Sequence, residues 1–414
     1  MAFSYLSSPS SGCKHIMHSV SRRPLLSLYW CGKKSHLVVA PVLKNRQNLI
    51  LPSYLFSSQA LYSQISQDQK TLVSRPVGSS TLPSWQPPTS GLLSKLPVSW
   101  IPFAELIRID KPTGTYYLFF PCLFSTLLAA PQVVPCPTPL SVLGTTMLFF
   151  TGAFIMRGAG CTINDLWDRN LDTNVSRTRL RPIARGAITP FNALVFTGAQ
   201  LMTGLGILIQ FPQQCLYYGI PSLFLVATYP LAKRFTHYPQ IILGLTFSWG
   251  AIMGFPALGI DLLNSSSALK TAALIYGSNI AWTVLYDMIY AHMDFRDDAK
   301  AGIKSIVLRH GQYTKQILSG LAVAQVGLLA ASGIAAGSGP VFFLGSCGGA
   351  AVTLAIMIKR VDIQNVKSCW WWFVNGCWIT GGVISTGMAI DYFLRLSHTL
   401  EDVSGNQNSS ATNV

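Results

Sequence analysis

From about residue 113 onward the chain alternates long apolar runs with short polar connections. A helix needs about 20 mostly apolar residues to cross a bilayer. On that measure spans are expected at about 113–130, 140–163, 190–211, 215–232, 239–258, 269–290, 314–336, 340–358 and 371–394. Lipid offers backbone groups no hydrogen bonds, so each run predicts helix. The connections are of two kinds. Those after the first, third and seventh spans carry no charge, and the one after the fifth holds only Asp261 and Lys270. Those after the second, fourth, sixth and eighth hold nearly all the Arg, Lys and Asp. Dropping any one span would scramble this alternation. The expected fold is therefore all-α: a polytopic membrane bundle of nine transmembrane helices around a central cavity, with one charged and one quiet face.

Two spans end in acids. After the second come Asn164, Asp165, Asp168 and Asp172, and after the sixth come Asp287, Tyr290, Asp294 and Asp298. Steps of three and four residues put such groups on one ridge of a helix. Both ridges belong to the charged face. Basic residues are enough to set topology, so the acids need another explanation. Carboxylates this close repel unless a cation lies among them, and hard oxygen donors without Cys or His suit Mg²⁺, which completes its shell from water and phosphate. A pair of solvated helix ends would explain one acidic turn, but two matched rows in an acid-poor chain argue against it.

Of 414 residues, 50% are hydrophobic and 11% charged, against about 25% charged in a soluble domain. The net charge of +15 lies in short loops and the N-terminal segment, so topology explains it better than nucleic acid does. Nine Cys form no CxxC and no Cys/His cluster, so neither a disulfide framework nor a zinc site is expected. Residues 1–90 are Ser-rich and basic, and Asp68 is their only acid up to the Pro/Ser-rich linker. That composition predicts a mitochondrial transit peptide and disordered linker. The membrane domain is expected over 91–396 and a disordered tail over 397–414. Residues 101–114 are expected to form an amphipathic helix lying on the membrane surface and running into the first span.

Basic loops lie beside the acid rows: Arg177, Thr178, Arg179, Leu180, Arg181 and Pro182 after the first, and Tyr229, Pro230, Leu231, Ala232, Lys233 and Arg234 after the fourth span. Arg presents a fork that matches phosphate oxygens, and Lys a point charge. Acids for Mg²⁺ and bases for phosphate suggest a diphosphate headgroup whose tail lies in the membrane. The motifs are Arg108-Ile109-Asp110-Lys111-Pro112, Gly158 to Asp165 with Asp168 and Asp172, Arg177-Thr178 with Arg181-Pro182, Tyr229-Pro230 with Lys233-Arg234, Asp287 to His292 with Asp294 and Asp298, and Gly302 to Ser305. With these, the stretch from about Ile101 to Phe393 resembles the UbiA family of membrane prenyltransferases. The Tyr290-Ala291-His292 triplet and the Arg108-x-Asp110-Lys111-Pro112 segment favour its 4-hydroxybenzoate branch.

The resemblance implies transfer of a polyprenyl group from polyprenyl diphosphate to C3 of 4-hydroxybenzoate, within ubiquinone biosynthesis in the mitochondrial inner membrane, the charged face toward the matrix. Membrane lipid and a ubiquinone-biosynthesis assembly are the other expected partners. Asn164, Asp165, Asp168 and Asp172 would hold one Mg²⁺, and Asp287, Asp294 and Asp298 a second. Arg177, Arg181, Tyr229, Lys233 and Lys304 would stabilise the departing diphosphate, while Tyr290 or Trp249 would face the allylic cation. Arg157 lies seven positions before Asn164, roughly 11 Å deeper, where a charge is functional by default; it is expected to bind the aromatic acid's carboxylate. His292 is expected to pack or orient, Trp370 to Trp372 to form an interfacial belt, and Gly345 to Ala351 to be small-residue helix packing. Other acceptors, such as a naphthoate or homogentisate, remain open. So does a secondary anion transporter, although transporters place their groups near the midplane on broken helices.

Overall fold

The structure, a computed structural model, describes residues 84–173, 178–295, 298, 302 and 304–411, excepting the side chains of Lys233 and of 401–411. Residues 1–83 of the expected presequence and Arg177 lie outside them. All regular structure among the described residues is helical. A short α1 (Ile101–Leu106) precedes α2 (Thr113–Ala129), α3 (Pro139–Asp172), α4 (Pro190–Leu208) and α5 (Gln214–Phe235). The fifth crossing is split into α6 (Pro239–Phe247) and α7 (Gly250–Ala257), and α8 (Ser266–Ala291) follows. Beyond it, α9 (Ile306–His310) leads into α10 (Thr314–Ala335), a π-helical stretch (Phe342–Gly348) into α11 (Gly349–Arg360), and α12 runs from Val366 to Ala411. Threonine and proline set several starts: Thr138 and Thr189 accept from the Ser141 and Asn192 amides at 3.4 and 3.2 Å, with Pro139 and Pro190 first in the helix.

Eight helical segments are long and apolar enough to cross a membrane. The remaining long helix, α8, has 26 residues but is more polar. It can be, because protein encloses it: α10, α6, α7, α12 and α2 pack around it, and Thr271, Ser278, Asn279 and Thr283 are buried there. Counting it, the described residues make nine crossings, as hydropathy predicts, and the chain is a multi-pass membrane protein. The core follows α8, with Trp282, Leu285, Met288 and Ile289 packed on Tyr117, Phe120 and Phe124 of α2.

Ser125 ties α2 to the first turn of α7, just past the break. Its hydroxyl donates to the Gly250 carbonyl at 2.9 Å and accepts from the Gly254 amide at 3.0 Å, bridging two backbone groups four residues apart. A Cβ on Gly254 would stand 2.5 Å from the Ser125 carbonyl carbon, so only glycine lets α2 and α7 approach this closely.

Two expectations about the ends of the domain change. Residues 101–114 are not one surface helix: α1 stops at Leu106, Arg108 turns left-handed at φ 58°, and Pro112 begins the next helix. Ile101 and Leu106 are buried, so α1 packs into the protein. The backbone expected to be a disordered tail from 397 is helical to Ala411, since extending an existing helix needs no new nucleus.

Candidate active site

Both acid rows lie at the C-terminal ends of their helices, where the helix dipole disfavours negative charge. Such acids need cationic partners, and the first row has them. Asp165, only 1% exposed, accepts two bonds from Arg108 Nη2 at 2.9 Å and lies 3.1 Å from Arg181 Nη1. The same Arg181 nitrogen is 2.9 Å from Asp172 Oδ2. The left-handed turn at Arg108 swings its side chain back across 57 positions of sequence to reach Asp165. Left-handed backbone is uncommon for a residue with a Cβ, and here it is what turns Arg108 toward the first row.

The second row is carried by Asp287 and Tyr290 on α8 and by Asp294 and Asp298 just beyond it. All four line one cavity of about 630 Å³ together with Asn164, Asp165 and Asp172. Lys304 and Tyr229 border the same space, and Lys304 Nζ donates to the Phe235 carbonyl at 3.3 Å. Hence two sets of acids more than a hundred residues apart in sequence meet at one end of the bundle, between α3 and α8.

Deeper in, Arg157 contributes to the wall. Its Nη1 touches Cys161 Sγ, and its guanidinium lies against Gly114 so closely that any Cβ there would collide, with Cζ at 2.8 Å. The arginine's buried Nε has no hydrogen-bond partner among the described residues. Tyr117, Tyr286, Phe247 and Phe373 line the same cavity.

At the mouth, Glu105 accepts from Trp85 Nε1 at 3.1 Å and pairs with Arg185 at 2.7 Å, and the Arg185 guanidinium covers the Trp85 ring at 4.5 Å. These contacts fasten the segment before α1 across the charged face.

Most residues chosen from the sequence come together here, with exceptions. Asp168 does not line the cavity; it is 1% exposed and lies 3.7 Å from Arg234, which also donates to the Trp167 carbonyl. Trp249 faces elsewhere, donating to the Tyr218 carbonyl at 2.8 Å and meeting Tyr276 edge-on, so it does not face the cavity and Tyr290 does. His292 lies outside the cavity with Nε2 2.9 Å from Thr314 Oγ1. Burial lowers its pKa below the ordinary histidine value, which suits a neutral packing residue. Trp370, assigned to an interfacial belt, is 40% exposed and lines the cavity, while Trp371 does not. Sequence reasoning also passed over Arg108, Glu105, Arg185 and Tyr286. The one signal for Arg108 was its place in the Arg-x-Asp-Lys-Pro segment.

The rows can be tested against a divalent cation. Among the described residues no three acid, His or Cys side chains already stand close enough to chelate one. The donors at the cavity are nevertheless all oxygen, and Mg²⁺ typically takes one or two carboxylates and fills its shell from phosphate and water. Asn164, Asp165 and Asp172 on one side and Asp287, Asp294 and Asp298 on the other fit that chemistry.

A model of the UbiA prenyltransferase family matches residues 118–380. The chain belongs to the UbiA family. Among its relatives, the mitochondrial 4-hydroxybenzoate polyprenyltransferase of Saccharomyces cerevisiae is 46% identical over 306 residues, 73% of this chain and 80% of that protein. The protein of the same name from Homo sapiens is 43% identical over 275 residues, 66% of this chain and 71% of that protein. The apo structure of a UbiA homolog from Aeropyrum pernix shares the fold, with a TM-score of 0.56 at 21% identity over 67% of this chain and 97% of that one. So does a UbiA homolog from Archaeoglobus fulgidus bound to DMAPP and Mg²⁺, with a TM-score of 0.53 at 17% identity over 71% and 99%. Within this UbiA bundle, the acid rows occupy the ends of the second and sixth crossings.

Proposed function

We propose that the chain is a Mg²⁺-dependent aryl prenyltransferase that moves an all-trans polyprenyl group from its diphosphate to C3 of 4-hydroxybenzoate, releasing diphosphate, in ubiquinone biosynthesis. The observation that carries this reading is the meeting of both acid rows around one cavity, with the buried guanidinium of Arg157 beneath them. The mitochondrial 4-hydroxybenzoate polyprenyltransferases among its relatives support the choice of acceptor.

Mg²⁺ held by the oxygen donors of the two rows supplies positive charge against the diphosphate oxygens when bound. Asp168, buried behind the first row beside Arg234, braces it. Arg181, Lys304 and Tyr229 stabilise the charge that grows on diphosphate as the allylic carbon-oxygen bond breaks, and Arg177 and Lys233 are expected to join them. The Tyr290 ring faces the resulting cation, and the lipid-embedded bundle keeps water from quenching it. Arg157 pairs with the carboxylate of 4-hydroxybenzoate, which leaves the phenol pointing toward the acids. The ring carbon beside the hydroxyl attacks, a carboxylate of one row takes the displaced ring proton, and aromaticity returns.

The same reading sets the protein in the mitochondrial inner membrane, with the charged face toward the matrix and residues 1–90 as presequence and linker. The test uses membranes bearing the protein and a labelled polyprenyl diphosphate. Diphosphate release is expected to require Mg²⁺, to stop with a chelator, and to yield a labelled lipid only with 4-hydroxybenzoate present. Equal product from a naphthoate or homogentisate, or release without any acceptor-dependent lipid, would refute the assignment.

A further inference from the structure

Trp85, Glu105 and Arg185 meet at the mouth of the cavity, and all three line it. One carboxylate holds both neighbours: Glu105 accepts from Trp85 Nε1 on Oε1 and from Arg185 Nη2 on Oε2. The Arg185 and Glu105 side chains are only 11% and 17% exposed, so solvent and salt screen this pair less than a surface ion pair. Arg185 also reaches into its own loop. Its Nη1 donates to the Leu180 carbonyl at 2.6 Å, and its amide donates to the Arg181 carbonyl at 2.9 Å. It thereby fixes the peptide on each side of Arg181, the residue whose guanidinium meets Asp165 and Asp172. Glu105 reaches the same acids by a second route: its carbonyl accepts from Arg108 Nη1 at 2.9 Å, and Arg108 Nη2 holds Asp165. Both arginines over the first acid row are thus braced through Glu105, and the Trp85 ring covers the guanidinium that completes the brace.

Trp85 lies upstream of residues 118–380, so the family match itself assigns it nothing. Its segment is nevertheless docked on the domain, with Leu93 buried. We propose that Trp85 and Glu105 are positioning residues for the prenyl diphosphate: they hold Arg185, and through it the Arg181 loop, in the shape that receives the headgroup. This rests on the reading of the acid rows as a diphosphate site. A loop ordered in advance loses less freedom when its ligand arrives, and a loop competent only part of the time weakens apparent affinity by that fraction. The segment before α1 is then a working part of the active site, and any processing of the N-terminus must leave Trp85 in place.

Trp85→Ala removes the hydrogen bond to Glu105 and the ring over Arg185 from a half-buried position at the edge of the domain, so folding should survive. The expected result is a KM for the prenyl diphosphate raised about 5- to 20-fold. Saturating diphosphate restores the loop, so kcat should stay within about twofold, as should the KM for 4-hydroxybenzoate. In an Arg185→Ala background, Trp85→Ala should add less than about twofold, because its partner is already gone. An unchanged diphosphate KM, an equal rise in both KM values, or a full further rise in the double variant would each overturn the proposal. Linkage gives a reading without turnover: inorganic diphosphate with Mg²⁺ should slow hydrogen exchange in the wild type both in the loop around Arg181 and in residues 84–100. Protection of the loop alone overturns the proposal and leaves the site as read. Protection of neither stretch overturns the diphosphate reading, and this proposal with it.

Discussion

Gly114→Ala adds one methyl group to a helix, usually a mild or stabilising change. Here it would do something else. The new Cβ would stand 2.8 Å from Arg157 Cζ and 2.7 Å from Nη2, and closer still to Nε. Ordinary contact begins near 3.4 Å, so Cζ must retreat by about 0.6 Å (3.4 less 2.8) and Nε by more. The obstacle is the end of a flexible side chain and α2 itself need not move, so folding should survive. What suffers is aim. A hydrogen bond to a charged group is worth about 1.5–3 kcal/mol, and misplacing a positioning group by about 1 Å costs up to about 100-fold. The expected outcome is a 10- to 100-fold rise in the KM for 4-hydroxybenzoate, with the KM for the prenyl diphosphate and the melting temperature in detergent nearly unchanged. Gly198→Ala, where a Cβ meets nothing within 4 Å, is the control and should behave as wild type. An acceptor KM within twofold of wild type in Gly114→Ala would show that the Arg157 guanidinium does not position the carboxylate.

Asp165→Asn removes the carboxylate that Arg108 and Arg181 share, and should lower kcat for diphosphate release by about 10²- to 10³-fold; a loss under tenfold speaks against a role in leaving-group stabilisation. Gly387→Val should melt earlier by about 1–3 kcal/mol of overpacking. Even a Cβ at that position stands 2.5 Å from the Ser346 amide and 2.9 Å from the Gly345 carbonyl carbon, both rigid backbone. An unchanged melting curve would exclude close packing of α12 on the π-helical stretch. Glu105→Gln weakens the 2.7 Å pair with Arg185 and should expose the segment around Trp85 to faster limited proteolysis; an unchanged digestion rate would mean that the pair does not fasten it.

The crossings and acid rows were legible because the membrane imposes them: backbone must be satisfied internally, and a charge inside lipid is too costly to be casual. Arg157 stood out for the same reason. Periodicity is blind to pairings between distant segments, so it missed Arg108 reaching Asp165 and Arg185 reaching Glu105. A left-handed arginine has no sequence signature, and the break at Arg108 was therefore read as continuous helix. Trp249 was misjudged because hydropathy shows the fifth crossing as unbroken, whereas the chain stops being helical between Phe247 and Gly250. Tyr286 looked like one more aromatic residue in an apolar run, and only the fold places it in the cavity wall.

The polarity of α8 has a consequence for how the protein is made. A segment carrying Lys270, Asn279 and Asp287 gains little by leaving an aqueous translocation channel for lipid alone, and its chief companion, α10, follows it in the chain and so reaches the channel later. The sixth crossing must therefore enter the bilayer collectively, as half of a hairpin with the seventh. Chains truncated between Ala291 and Thr314 would strand the very helix that carries Asp287 and leads into the rest of the second acid row, and should be early targets of membrane quality control.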